Sequence, residues 1–208
     1  MKDSGSGFFS FNRALLVIGA TTALRRSETS GLQWSDIDLV NGRVNVRRGL
    51  QWVPVGRDDK GRMRRELQYT ELKTDEARRT VGLMPVVVER LRQHRKDQIA
   101  RRLALGEGWD DSFGDVVCDR GNGRPIDPDR FTKSFKRLAA EAGLDPKTTL
   151  HDLRHAVLTQ LGRGKVHPLI VSAIAGHSDP AFTMRVYQHA WEEGVDEGVA
   201  ALDKAFDL

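Results

Sequence analysis

The chain has 208 residues, 39% hydrophobic and 30% charged, which is typical of a globular protein large enough for one domain with a sizeable core. It holds no apolar run long enough to span a bilayer and no signal segment, so we expect no membrane partner. Its single cysteine, Cys118, excludes a disulfide framework and any multi-cysteine metal site, fits a reducing cytoplasm, and is expected to be buried in the strand-like run DVVC.

The net charge of +4 is unevenly distributed. Residues 190–208 hold six acidic residues and one lysine, so this tail carries −5 and the preceding chain +9. A basic body favours a polyanionic partner such as nucleic acid, whereas a tail of opposite sign indicates another role for that segment. Since many basic proteins bind no nucleic acid, charge alone does not decide the function.

The first third of the chain changes from helical to strand-like patterns. Residues 1–7 are small and polar, and we expect a flexible leader or a cloning remnant there. Apolar spacing predicts a helix over 8–24 and a short one over 27–32. Turn chemistry at Asn41-Gly42, GRDDKG and TDEA then separates five β-prone runs, which predicts a small antiparallel sheet. These runs are 36–40, 43–46, 50–55, 66–72 and 79–83.

The remainder is predicted to be helical. Pro85 opens a long helix to about residue 103, and Asp127-Pro128 begins another that Gly143 ends. Further helices are expected around HDLRH to residue 162, and over 168–175, 178–187 and 192–206. The predicted fold class is therefore α+β, one mainly α domain with a small antiparallel β-sheet.

The segment HDLRH, residues 151–155, places polar side chains on an otherwise apolar helix. His151 and His155 lie four residues apart and share a face, with Arg154 near the same side. Three interpretations compete: a satisfied structural cluster, a metal site, and an anion-binding catalytic site. Zinc binding of the HExxH kind would use Asp152 as the base, but a guanidinium between the ligands repels a dication, so we expect no metal. Arginine with histidine suits phosphate or carboxylate oxygens.

More cationic residues stand at helix starts and turns, as a phosphate-binding site requires. The arginine pair in ALRRSETSGLQWSDIDL, of which Arg25 is the first, precedes a helix start and is followed by Glu28. Lys73 lies at the edge of a tight turn in the expected hairpin ELKTDEARRTVGL. In AGHSDPAFTMRVYQH, His177 follows a helix-ending glycine and Tyr187 comes ten residues later.

Taken in the order in which they occur along the chain, with HDLRH third, the four segments resemble the tyrosine recombinases of the phage-integrase type. The resemblance runs from about residue 8 to residue 187, and four such segments in order with the family's spacing are a specific signal. It implies the catalytic-domain fold of that family, a 3′-phosphotyrosyl intermediate, and no metal or nucleotide cofactor. The residues implied as catalytic are Arg25, Lys73, His151, Arg154, His177 and the nucleophile Tyr187, with Glu28 and His155 in support.

The chemistry of phosphodiester cleavage agrees with these residue types. Guanidinium and imidazole groups stabilise the negative charge that develops on the phosphate oxygens, without a metal. A tyrosine hydroxyl, with an ordinary pKa near ~10, must lose its proton as it attacks. The departing 5′ oxygen needs a proton, and Lys73 is the natural donor.

Each residue also has an ordinary structural interpretation. Arg25 can complement Glu28 at the surface, Lys73 can be a solvated hairpin residue, His177 can cap a helix, and Tyr187 can belong to the core. Each is reasonable alone, but all would have to hold together to defeat the joint pattern.

The sequence departs from the family pattern at four points. Ala23 replaces a usual glycine, Ala175 a usual leucine and Gly82 a frequent proline. No separate DNA-clamping domain precedes residue 8, so we expect the catalytic domain alone, over 8–190, as a fragment or a minimal form. We expect residues 191–208 to form an acidic amphipathic helix that docks on a neighbouring protomer, with folding back onto its own domain as the alternative.

The resemblance also implies partners. These are double-stranded DNA attachment sites, accessory DNA-bending proteins, and further copies that form a homotetramer on two duplexes while the free protein is monomeric. The expected location is the cytoplasm, for a bacterial or phage-encoded protein. A type IB topoisomerase and a non-catalytic DNA-binding module remain as alternatives, and the intact set of catalytic residues argues against the latter.

Overall fold

A computed structural model describes residue 14, residues 16–72 and residues 77–176, and the structural findings concern these residues. Several expectations lie outside them: the leader, the last two helices, Lys73, His177 and Tyr187.

The predicted fold class is confirmed, and the strands divide between two antiparallel sheets. The first sheet has the order β1-β2-β5, with β1 at Ile37–Asp38, β2 at Arg43–Val46 and β5 at Arg79–Gly82. The second is a long hairpin of β3 (Arg48–Arg57) and β4 (Met63–Glu71). The expected hairpin of β4 with β5 is therefore wrong, because β4 pairs along its whole length with β3 and leaves β5 to pair with β2.

The turn between β1 and β2 forms where Asn41-Gly42 predicted it. Gly42 adopts φ +61°, which glycine reaches without steric cost. The Asp38 carboxylate accepts hydrogen bonds from the backbone N–H groups of Val40 at 3.0 Å and Asn41 at 2.9 Å. This side chain closes the turn as an Asx-type cap.

Six helices surround the sheets in the described part of the chain. The first, α1, is helical over 16–22, and the others begin and end close to the positions expected from caps and prolines. None is long and apolar enough to cross a membrane. The remaining helices are α2 (Arg26–Ser30), α3 (Pro85–Leu105), α4 (Pro128–Glu141), α5 (Leu150–Arg163) and α6 (Pro168–Ala175).

Two buried clusters hold these elements together. The main core joins α1, the first sheet, α3 and α4 through residues such as Ile18, Val44, Leu91 and Phe131. Cys118 is buried in the same core, as expected, but in an irregular segment and not in a strand. Burial raises the pKa of its thiol far above the usual range, so this cysteine is unreactive.

The smaller cluster packs α5 and α6 against the residue that follows the C-terminus of α1. It contains Ala23, Leu158, Val171 and Ala175, all at most 1% exposed. Ala23 adopts φ +54°, a conformation that costs a non-glycine residue about 1–2 kcal/mol. Glycine would adopt this conformation without that cost, and the burial of the Ala23 methyl group offsets part of it.

Candidate active site

Arg25 stands at the N-terminus of α2, where an extended backbone sends its side chain towards α6. Its Nη1 donates to Oε1 of Glu28 at 2.8 Å, and its Nη2 donates to the carbonyl oxygen of Gly176 at 2.8 Å. The side chain is 42% exposed, so these two bonds fix its orientation while part of the guanidinium faces solvent. The next residue, Arg26, turns away to Thr132 on α4.

Glu28 is the buried anion that organises this corner, with a side chain only 1% exposed. Its Oε2 accepts from the backbone N–H of Arg25 at 2.8 Å and from Nη2 of Arg79 at 2.9 Å. Burial alone would raise the pKa of Glu28, but the hydrogen bonds and charge of Arg79, with those of Arg25, bring it below the ordinary value. Glu28 is therefore ionised at neutral pH and serves as the counter-ion of Arg25 and Arg79.

Arg79 is the residue of this site that the sequence analysis missed. Its side chain is 6% exposed, and its Nε donates to the carbonyl oxygen of Ile174 at 2.7 Å. A signal was available, because alternation along β5 puts Arg79 on the same face as the buried Val81. An arginine on the inward face of a strand requires acceptors, and Glu28 supplies them.

Arg154 projects from α5 into the junction of α1 and α6 and is 4% exposed. Its Nη1 donates to the carbonyl oxygen of Ala23, and its Nη2 donates to that of Ala175 at 2.6 Å. Burial, together with the nearby charge of Arg25, lowers the pKa of Arg154 to about 10. The group still carries its charge at neutral pH.

His151 and His155 stack edge to face, with ring centroids 4.4 Å apart. Burial lowers the pKa of His151, and the charges of His155 and Arg154 lower it further. The imidazole of His151 is therefore mainly neutral near pH 7 and can accept a proton.

The metal interpretation of HDLRH finds no set of ligands in this part of the chain. Asp152, the acid it would use, accepts from the backbone N–H of Thr149 at 2.7 Å and forms the capping box of α5. Across the described residues, no three histidine, cysteine or acidic side chains lie together as a metal site requires.

A groove of about 610 Å³, named here the active-site groove, brings these cations together. Arg25 lines it together with His151 and Arg154, which come from a distant segment of the chain, and Trp52 and Arg65 of the β3–β4 hairpin line it as well. Four arginine side chains, those of Arg25, Arg26, Arg65 and Arg154, line the groove with the imidazole of His151, and together they form a site for an oxyanion.

Three of the expected catalytic residues lie outside the described residues, two of them next to positions that the structure describes. The carbonyl group that Arg25 binds belongs to Gly176, the residue before His177. Lys73 follows Leu72, which packs against the main core. The roles expected of Lys73, His177 and Tyr187 stay predictions.

The chain is similar to a known protein family along most of its length. The model of the phage integrase family matches residues 10–193 of the chain. A tyrosine recombinase XerC-like protein of Caldanaerobacter subterraneus subsp. tengcongensis is 29% identical over 195 residues, which cover 93% of this chain and 49% of that protein. An integrase of Streptomyces ambofaciens is 28% identical over 93% of this chain and 48% of its own length. The chain thus spans about half the length of these relatives.

Solved structures show the same fold. The Tn1549 transposon integrase, in complex with transposon right end DNA, has a TM-score of 0.70 at 22% identity, covering 100% of this chain and 65% of that one. XerA recombinase has a TM-score of 0.64 at 20% identity, covering 90% of this chain and 57% of that one. With the family model matched along most of its length, this chain belongs to the phage integrase family.

Proposed function

We propose that this chain is the catalytic domain of a site-specific DNA recombinase of the integrase type, which cuts and rejoins DNA through a 3′-phosphotyrosyl intermediate. The observation that carries the proposal is the convergence of Arg25, Arg154 and His151 on the active-site groove. Both guanidiniums are already fixed by carbonyl groups of the protein, so little reorganisation is needed when negative charge develops on a bound phosphate.

In the proposed reaction, the Tyr187 hydroxyl oxygen attacks the scissile phosphorus and the bond to the 5′ oxygen breaks. The proton of the phenol passes to a base, for which the neutral imidazole of His151 is suited. Lys73 gives a proton to the departing 5′ oxygen, and His177 contributes a further donor to the phosphate. Arg25 and Arg154 stabilise the non-bridging oxygens. Reversal of these steps by a 5′ hydroxyl of a partner duplex rejoins the strand without ATP.

The proposed partners follow from the reaction. Related proteins have been solved on DNA, among them the Tn1549 integrase and XerH bound to its difH substrate. We extend this to double-stranded attachment sites for this chain, with a homotetramer on two duplexes, a free monomer, and accessory DNA-bending proteins. We also propose a cytoplasmic location for this chain.

A nicked suicide substrate carrying the element's own attachment site tests the reaction. We expect a covalent adduct that mass spectrometry assigns to Tyr187, and Tyr187→Phe should abolish it while DNA binding is retained. Tyr69 is the matched control, because it is the chain's second tyrosine and its hydroxyl donates to the carbonyl oxygen of Phe113 at 2.7 Å. DNA attached to any residue other than Tyr187 contradicts the proposal. Relaxation of a supercoiled plasmid without attachment sites would indicate topoisomerase activity.

The tail, residues 191–208, is proposed to dock on a neighbouring protomer. Val195, Val199, Leu202 and Phe206 share one face of the expected helix, and the surrounding acids make DNA an unfavourable partner. Truncation before Val195 should leave the fold intact but reduce assembly on DNA. Sedimentation of both forms with DNA measures this, and identical assembly states would exclude docking in trans.

A further inference from the structure

Arg79 is a buried cation that the proposed reaction does not use. It binds Glu28 through two nitrogens, with Nη2 to Oε2 at 2.9 Å and Nη1 to Oε1 at 3.2 Å. The same two carboxylate oxygens also accept from Arg25. One buried carboxylate is therefore shared by two guanidiniums. Arg25 lines the active-site groove, whereas Arg79 does not.

We propose that Arg79 is a positioning residue that neutralises Glu28, so that the guanidinium of Arg25 stays available to the scissile phosphate. The inference rests on the proposed function and deepens it. Arg79 does not line the groove and so acts through Glu28 and Arg25.

The charges of the cluster show why a second arginine is needed. Arg25, Arg79 and Arg154 with Glu28 give a net charge of +2 beside the groove. Without Arg79 the same corner carries +1, and the carboxylate of Glu28 has Arg25 as its nearest cation. Because the carboxylate is buried, its attraction for Arg25 is poorly screened and competes directly with a phosphate for that guanidinium.

Arg79 also has contacts that any structural residue could make. Its Nε donates to the carbonyl oxygen of Ile174 at 2.7 Å, and its Nη1 donates to that of Ala77 at 3.0 Å. These bonds tie β5 to α6. A loss of activity on mutation therefore does not separate an electrostatic role from a structural one, whereas compensation by a second mutation does.

The experiment that distinguishes the electrostatic role from the structural one compares Arg79→Met with the double variant Glu28→Gln/Arg79→Met. The double variant lacks the same carbonyl contacts as the single variant, but it removes the carboxylate and restores the cluster to +2. At saturating DNA, Arg79→Met should reduce single-turnover cleavage about tenfold to hundredfold, and the double variant should recover about tenfold. Equal rates for the two variants would overturn the proposal, because a structural role predicts no recovery.

A second readout does not depend on cleavage. Inorganic phosphate is titrated into the full chain while the NMR signal of the Arg25 guanidinium is followed. We expect weaker phosphate binding in Arg79→Met and recovery in the double variant, and equal affinities in all three proteins would count against the inference. If phosphate binding weakens in Arg79→Met and recovers in the double variant, but the wild-type chain forms no adduct with DNA, the proposed function fails while the role of Arg79 stands.

The matched control is Arg95→Met. Arg95 is paired with Asp115 at 2.6 Å through the same chemical groups, but it lies on α3 and outside the active-site groove. Cleavage by this variant should equal that of the wild type. Urea unfolding of every variant verifies that the measured protein is folded.

Discussion

Gly176 adopts φ +61° against the guanidinium of Arg79, so that a Cβ atom at Gly176 would lie 2.9 Å from Arg79 Nη1 and 3.1 Å from its Cδ. Two separate requirements thus meet at this glycine. Its backbone conformation disfavours any L side chain, and the space next to it is occupied by a cation that is itself held by Glu28. Gly176 also presents the carbonyl group that orients Arg25.

We therefore expect Gly176→Ala to destabilise the protein by about 2 kcal/mol or more, since backbone strain of about 1–2 kcal/mol adds to the displacement of Arg79. Gly143→Ala is the matched control, because Gly143 has φ +70° with nothing within 4 Å of an added Cβ atom. Gly143→Ala should cost only the backbone strain of about 1–2 kcal/mol. Urea unfolding measures the free energy of unfolding of both variants. Equal losses of stability would show that Arg79 moves aside without an energetic cost.

Arg154→Lys should lower both stability and cleavage. An ammonium group cannot reproduce the planar fork that reaches the carbonyl groups of Ala23 and Ala175, so a buried acceptor loses its partner at a cost of about 1–3 kcal/mol. Arg163→Lys is the control, since Arg163 is an exposed arginine on the same helix and its replacement should change stability by less than about 0.5 kcal/mol. Full activity of Arg154→Lys would show that a point charge suffices at this position.

The sequence predicted the elements of this fold well where the signal is local. Asn41-Gly42, Asp127-Pro128 and Gly176 mark a hairpin, a helix start and a helix end that the structure contains. Strand partners were harder, because pairing depends on contacts distant in sequence. Nothing local distinguishes β5 as the partner of β2 from β5 as the partner of β4.

The candidate site was predictable to the extent that its residues carry recognisable chemistry. Arg25 comes from one segment and His151 and Arg154 from another, and the three side chains line one groove. Arg79 was missed although strand alternation puts it on the face of the buried Val81, whereas Arg78 is exposed. Its acceptor, Glu28, is distant in sequence, so no local pattern showed which group it would bind.

Lys73→Ala should slow cleavage far more than it weakens DNA binding, because the proposed role of this lysine is to deliver a proton. A substrate with sulfur at the 5′ bridging position has a leaving group that needs no proton, so it should restore much of the rate. Lys96→Ala, which removes an exposed lysine of α3, should behave as wild type on both substrates. If Lys73→Ala cuts the sulfur substrate as slowly as the normal one, Lys73 is not the acid.

His151 should titrate below the ordinary histidine pKa of 6.5, because burial and the neighbouring charges of His155 and Arg154 disfavour its protonated form. NMR of the ring protons across pH 5 to 8 measures this midpoint. His155→Gln removes one of these charges and should raise the pKa of His151, whereas His167→Gln should leave it unchanged, since His167 caps α6 and is absent from the groups that shift His151.

The sign of the pH dependence follows from the depressed pKa of His151. Below pH 6.5 the unfolded chain takes up the proton before the folded chain does, so the stability contributed by neutral His151 is present above that pH and is lost as the pH falls towards the folded pKa. If the neutral imidazole is the base for Tyr187, the acid limb of the cleavage profile should follow the same midpoint and move with it in His155→Gln. An acid limb that stays in place while the NMR midpoint moves would assign the base to another group.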